Sequence, residues 1–109
     1  MTLDHENLDA YRASLAFLSL VRRSVTAVPH HRQGLAERLE RASTAVPLAI
    51  ADAVRASTAE ERAALFTQAR SSALACAAML DVASLWGDVT RSELDAGKRL
   101  LGDCRPFAA

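Results

Sequence analysis

Ser57-Thr-Ala-Glu60-Glu61 opens a run that meets neither proline nor glycine until Gly87. Two overlapping capping boxes lie at its start, Ser57 with Glu60 and Thr58 with Glu61. Each places a hydroxyl and a carboxylate where the first N–H groups of a helix need acceptors. The run behind them predicts a helix over 58–86, roughly 42 Å long at 1.5 Å per residue, ended by Gly87. Downstream, Thr90-Arg-Ser-Glu93 is a third capping box and predicts a helix over 91–102 carrying Leu94, Leu100 and Leu101, closed by Pro106. Upstream, residues 35–55 place Leu35, Leu39, Ala42, Val46, Ala49, Ile50 and Ala53 on one face at 100° per residue. Pro47 interrupts this helix, because it removes one backbone bond at about 3 kcal/mol, and a kink is expected there. The first helix is expected over 8–26, capped by Asn7 or Asp9, with Leu8, Tyr11, Leu15, Leu18, Val21 or Arg22, and Val25 at three-four spacing. Pro29 ends it, and Val28-Pro-His-His-Arg-Gln-Gly34 reads as a loop. Four helices joined by short links predict an all-α, up-down-up-down antiparallel four-helix bundle in a single domain spanning 1–109.

Composition agrees. The 109 residues hold 50% hydrophobic side chains but only 5% aromatics, and alanine dominates the apolar set, so the core must be built from small side chains at close helix contacts. Thirteen basic residues balance thirteen acidic ones, and the balance holds along the chain. With a sequence pI near 6.8, the basic stripe usual in nucleic-acid-binding domains is missing. The N-terminus is acidic and has no apolar core of a signal peptide, so a cytoplasmic protein is expected. No membrane span is expected either, since the longest apolar run, Ala73 to Leu80, is far short of the roughly 20 residues a bilayer requires. Cys76 and Cys104 have no CxxC or Cys/His spacing around them and read as reduced thiols.

Two stretches carry more apolar surface than one bundle can cover. In Val46-Pro-Leu-Ala-Ile-Ala-Asp-Ala-Val54, Leu48 points about 200° around the helix from Val46, so Leu48, Ala45 and Ala51 are expected to face outward. In Ala73-Leu-Ala-Cys-Ala-Ala-Met-Leu80, Leu74, Met79 and Leu80 spread around the whole circumference. A helix apolar on all sides is normally buried on all sides. A second copy packed on helices 2 and 3 through Ala45, Leu48, Ala51, Leu74 and Met79 is the economical solution.

Chemistry-bearing groups are sparse. His30 and His31 are adjacent in a loop without ligands at metal spacing, His5 lies in the N-terminal segment, and no metal site or cofactor is expected. Ser43, Ser71 and Ser72 lie mid-helix with no nucleophile context and read as small packing residues. Capping and the helix dipole account for Glu60 and Glu61. No catalytic residue is assigned, and Trp86 is expected to plug the core or an interface. Twelve of the thirteen basic residues are arginine. Arg38, Arg41 and Arg55 on helix 2 with Arg62 and Arg70 on helix 3 read first as a mixed-charge solvated face. They are also the candidate surface for phosphate or a partner carboxylate.

The order of features resembles the four-helix-bundle family encoded in intervening sequences of bacterial 23S ribosomal RNA genes. The resemblance rests on Leu8-Asp-Ala-Tyr-Arg-Ala-Ser-Leu15, Pro29, Leu35-Ala-Glu-Arg-Leu-Glu-Arg-Ala-Ser43, and Phe66-Thr-Gln-Ala-Arg-Ser-Ser-Ala73 with Leu80. It is densest in Arg41-Ala-Ser-Thr-Ala-Val-Pro-Leu-Ala-Ile-Ala-Asp52, similar to that family's Arg-Ala-x-x-Ser-Ile-Pro-x-Asn-Ile-Ala-Glu-Gly. Ala49, Asp52 and Ala53 depart from the Asn, Glu and Gly of that pattern. The resemblance implies a non-enzymatic homo-oligomeric scaffold or adaptor, with pentameric rings as the family's assembly. A protein related to the family is the accessory subunit of diversity-generating retroelements, which binds a reverse transcriptase and nucleic acid. The alternative reading is therefore a nucleic-acid-binding accessory factor using the arginines above.

Overall fold

A computed structural model describes residues 5–25 and 33–104. Its four helices are α1 (His5–Val25), α2 (Gln33–Val54), α3 (Ala59–Leu85) and α4 (Arg91–Asp103). The expected bundle is what forms, with α1 against α2, α2 against α3, α3 against α4 and α4 back against α1. The pairs α1/α2 and α3/α4 thus form opposite sides of the bundle. The expected loop with Pro29, His30 and His31, and Pro106, lie outside the described residues.

Local chemistry sets the helix ends. At the start of α3 only one of the two overlapping boxes caps: the Glu61 N–H donates to Thr58 Oγ1 at 3.1 Å, and the Ser57 N–H donates to Glu61 Oε2 at 3.2 Å. Thr58 is the cap because its extended backbone (φ −125°, ψ 158°) lets its hydroxyl reach the first turn. At the other end Gly87 takes φ 76°. Its N–H donates to the Ser84 carbonyl at 3.1 Å and the Asp88 N–H to the Ala83 carbonyl at 2.9 Å, the paired bonds of a Schellman turn that only a residue tolerant of positive φ closes cheaply. The α4 box is complete, with Thr90 and Glu93 exchanging bonds at 2.8 and 3.0 Å.

That last box also joins two helices. Ser24 Oγ donates to Glu93 Oε2 at 2.9 Å, tying the end of α1 to the start of α4. The Thr90 backbone bond, with smaller help from Ser24, holds the Glu93 carboxyl below the usual carboxylate range. A carboxyl lowered in the folded state stabilises above its unfolded pKa, about 4.3, and that stability is lost as pH falls through the folded value. Glu93→Ala should therefore cost on the order of 1 kcal/mol at pH 7 and markedly less at pH 3. Urea midpoints of the two proteins at both pH values check this, and equal losses would contradict it.

Two faces differ from the sequence reading by one residue. In α1 the buried residues are Asn7, Ala10, Ser14, Phe17, Leu20, Val21, Ser24 and Val25, so Val21 and Val25 lie inward as expected, while Leu15 is 43% exposed and Tyr11 only partly buried. In α2, Ala36 and Ser43 are buried where Leu35 and Ala42 were expected, and Leu35 and Ala42 flank the core. The reason is the same in both helices. Small residues on the innermost line allow the backbones to approach, and the leucines beside them pack on the flanks. Ser43 fits there because its hydroxyl donates to the Glu40 carbonyl at 3.0 Å, satisfying the buried oxygen without a partner on another helix. The closest approach is at Gly97 of α4, where an added Cβ would stand 2.7 Å from Leu80 Cδ1 and 3.5 Å from Phe17 Cε1. α2 runs unbroken through Pro47, which is buried, so the proline does not split it into two helices.

Candidate interaction surface

The core absorbs most large apolar side chains, and those it leaves outside define the site. Leu48 is 59% exposed and Leu74 60% exposed. They lie on opposite sides of the bundle. Leu48 stands on the outward face of α2 with Glu37, Glu40, Arg41, Thr44 and Ala45, beside a groove of about 530 Å³. Glu40 and Thr44 also line an adjoining α1/α2 groove of about 450 Å³ whose apolar wall is Leu15 and Leu18. Leu74 lines a smaller groove, about 200 Å³, between α3 and α4 with Ala73, Ala77, Lys98, Leu101 and Gly102. Lys98 Nζ lies 2.6 Å from Asp81 Oδ1 across those two helices.

The expected five-residue interface is therefore divided. Leu48 points outward as expected, Ala45 and Ala51 are half-covered beside it, and Leu74 is exposed on another face. Met79 corrects the reading: it is only partly exposed and packs against the core. Its flexible thioether side chain fills the flank of α3, a role that helical periodicity does not advertise. Of the two roles expected for Trp86 the core one does not occur, since it is 50% exposed at the end of α3 beside Leu85 at 85%. Leu15 is exposed and Leu18 half-buried although their three-four spacing reads as a core stripe; the single Phe17 between them, too large to leave outside, is the available signal.

The five arginines do not gather. Arg41 lies one turn after Glu37 on the α2 face, Arg55 pairs with Asp52, and Arg70 Nη2 donates to Thr67 Oγ1 at 3.1 Å. Arg38 is exposed on α2 and Arg62 half-buried in the first turn of α3. Acidic residues alternate with them.

Cys76 and Cys104 form no disulfide and are wholly buried. Burial, with a smaller contribution from Cys104 nearby, pushes the Cys76 thiol up to about 12, far from the thiolate a nucleophile or metal ligand needs. Among the described residues no group of three or more His, Cys, Asp or Glu could hold a metal ion, and no helix is long and apolar enough to cross a membrane.

No model of a known protein family matches the chain, and no curated protein matches it. The surface thus has to be read from its own chemistry.

Proposed function

We propose that this chain is a non-enzymatic, homo-oligomeric helical scaffold that works in the cytoplasm as an adaptor for another macromolecule. The observation that carries the reading is the pair of outward leucines, Leu48 and Leu74, each more than half exposed while the core takes in most other large apolar side chains. Covering one such side chain is worth about 1.5–3 kcal/mol, and a symmetric assembly covers it in every copy. The resemblance to the intervening-sequence family points the same way and implies five copies. Two buried cysteines without a disulfide suit a reducing compartment. The arginine-based nucleic-acid reading gains no observation of its own, since its five residues are dispersed among carboxylates.

The test is the particle mass by light scattering at micromolar concentration. The reading predicts a mass that is a multiple of 11.7 kDa; a value of 11.7 kDa overturns it.

A further inference from the structure

The chain has two cysteines, remote from each other in sequence, and the fold carries both into the core at 0% exposure. Packing alone does not ask for sulfur at either place. The buried line of α3 already holds Ala69, Ala73 and Ala83, and a cysteine there behaves as one more small apolar residue.

The register of α3 and α4 relates the two positions. These helices run antiparallel across the turn at Gly87, with Leu80 against Gly97 and Asp81 against Lys98. Further down, Ala73 and Ala77 line one groove with Leu101 and Gly102. Continuing that ladder sets Cys76 level with the last turn of α4, where Cys104 stands. Cys104 Sγ is turned back along α4, donating to the Leu101 carbonyl at 3.4 Å, which brings the sulfur toward the level of Cys76. Cys104 is near enough to add to the upward push on the Cys76 thiol. A disulfide needs Cα atoms no more than about 7 Å apart, which asks for helices packed through small residues. Ala73, Ala77, Gly97 and Gly102 supply them here.

We propose that Cys76 and Cys104 are a redox pair that closes into an intramolecular disulfide, bolting the end of α4 to α3, when a small disulfide such as oxidised glutathione is in excess. The pair stands independently of the scaffold reading. While the helices are packed, both sulfurs are protonated and shielded. Cys104 lies at the end of α4, and a helix end opens at lower cost than the whole domain. The groove gives the route in, since Ala73 and Leu101 on its floor each stand one turn before a cysteine. Once opened, the Cys104 thiol loses its proton, attacks one sulfur of the small disulfide and releases one small thiolate. The Cys76 sulfur, deprotonated in turn, displaces the second small thiolate as the S–S bond between the two cysteines forms. The leaving thiolates take up the two protons, so two protein thiols and one small disulfide become one protein disulfide and two small thiols.

Intact mass of the reduced, folded protein after incubation with oxidised glutathione tests this, and with two cysteines in the chain an internal bond has one possible pairing. The proposal expects loss of two hydrogens, no attached glutathione and a single-chain band on a non-reducing denaturing gel. The urea midpoint should rise above that of the reduced protein, since the bond restrains the unfolded chain, and dithiothreitol should return both mass and midpoint. Cys76→Ser and Cys104→Ser should each gain no stability from the oxidant. Refolding from urea in mixed reduced and oxidised glutathione, where burial no longer limits access, should give the same internally bonded product. Two thiols or two attached glutathiones after refolding overturn the pair, as does a disulfide between copies. Closure on refolding but not in the folded protein overturns the step through helix opening, and a bond that lowers the urea midpoint overturns its fit to the bundle.

Discussion

Replacing Phe17 with alanine should destabilise the protein by about 3–5 kcal/mol, the range for deleting a buried aromatic ring. Phe17 is 1% exposed and heads the fully buried side chains by volume. Few other residues can compensate, because the buried neighbours of Phe17 one turn away on α1 are Ser14, Val21 and Leu20, and Leu20 is already seated beside Gly97. The opposing helix is equally rigid: α4 presents Gly97 there, already at close approach to Leu80 and Phe17. A domain of this size has roughly 5–15 kcal/mol in total, so the variant should unfold at much lower urea with an unchanged slope. A loss below about 1 kcal/mol would mean the ring is not the pivot of the α1–α4 contact.

Leu48→Glu should do the reverse, leaving the monomer nearly untouched while dissociating the assembly. Because Leu48 is 59% exposed in the single chain, a polar residue there should change folding stability by no more than about 0.5 kcal/mol. Against a second copy the same change removes the apolar contact and buries a carboxylate, and symmetry repeats it in every copy. Losing about 1.5–3 kcal/mol per side chain amounts to a hundredfold or greater weakening of association. Leu74→Glu, at an equally exposed leucine, should likewise spare the fold and weaken the assembly, since the scaffold reading rests on both outward leucines. Met79→Glu is unsuitable, since Met79 packs on the core and its substitution confounds folding with assembly.

Element boundaries were legible because capping chemistry is local. Thr90 with Glu93, Thr58 with Glu61, and Gly87 each act within one turn, so sequence alone placed α3 and α4 to within a residue or so. Which line of each helix faces inward was less legible. In α1 the leucines at 15 and 18 and the buried row through Phe17 are neighbouring stripes of similar hydropathy, and only the opposing helices decide between them. The Ser24–Glu93 bond between α1 and α4 joins residues 69 apart in the chain, and no local pattern announces it. For the surface, periodicity placed Leu48 correctly because it stands opposite the core line of α2. It failed for Met79, whose angle lies near the boundary between flank and face, where a flexible side chain folds back onto the protein.

The claim at the centre of this account is that the outward leucine of the second helix is shielded by another copy of the same chain. Sedimentation equilibrium of wild type and Leu48→Glu, side by side at one micromolar-range concentration, addresses it most directly. The account predicts an assembled wild type and a variant at 11.7 kDa with full helicity. Identical masses for the two proteins would contradict it.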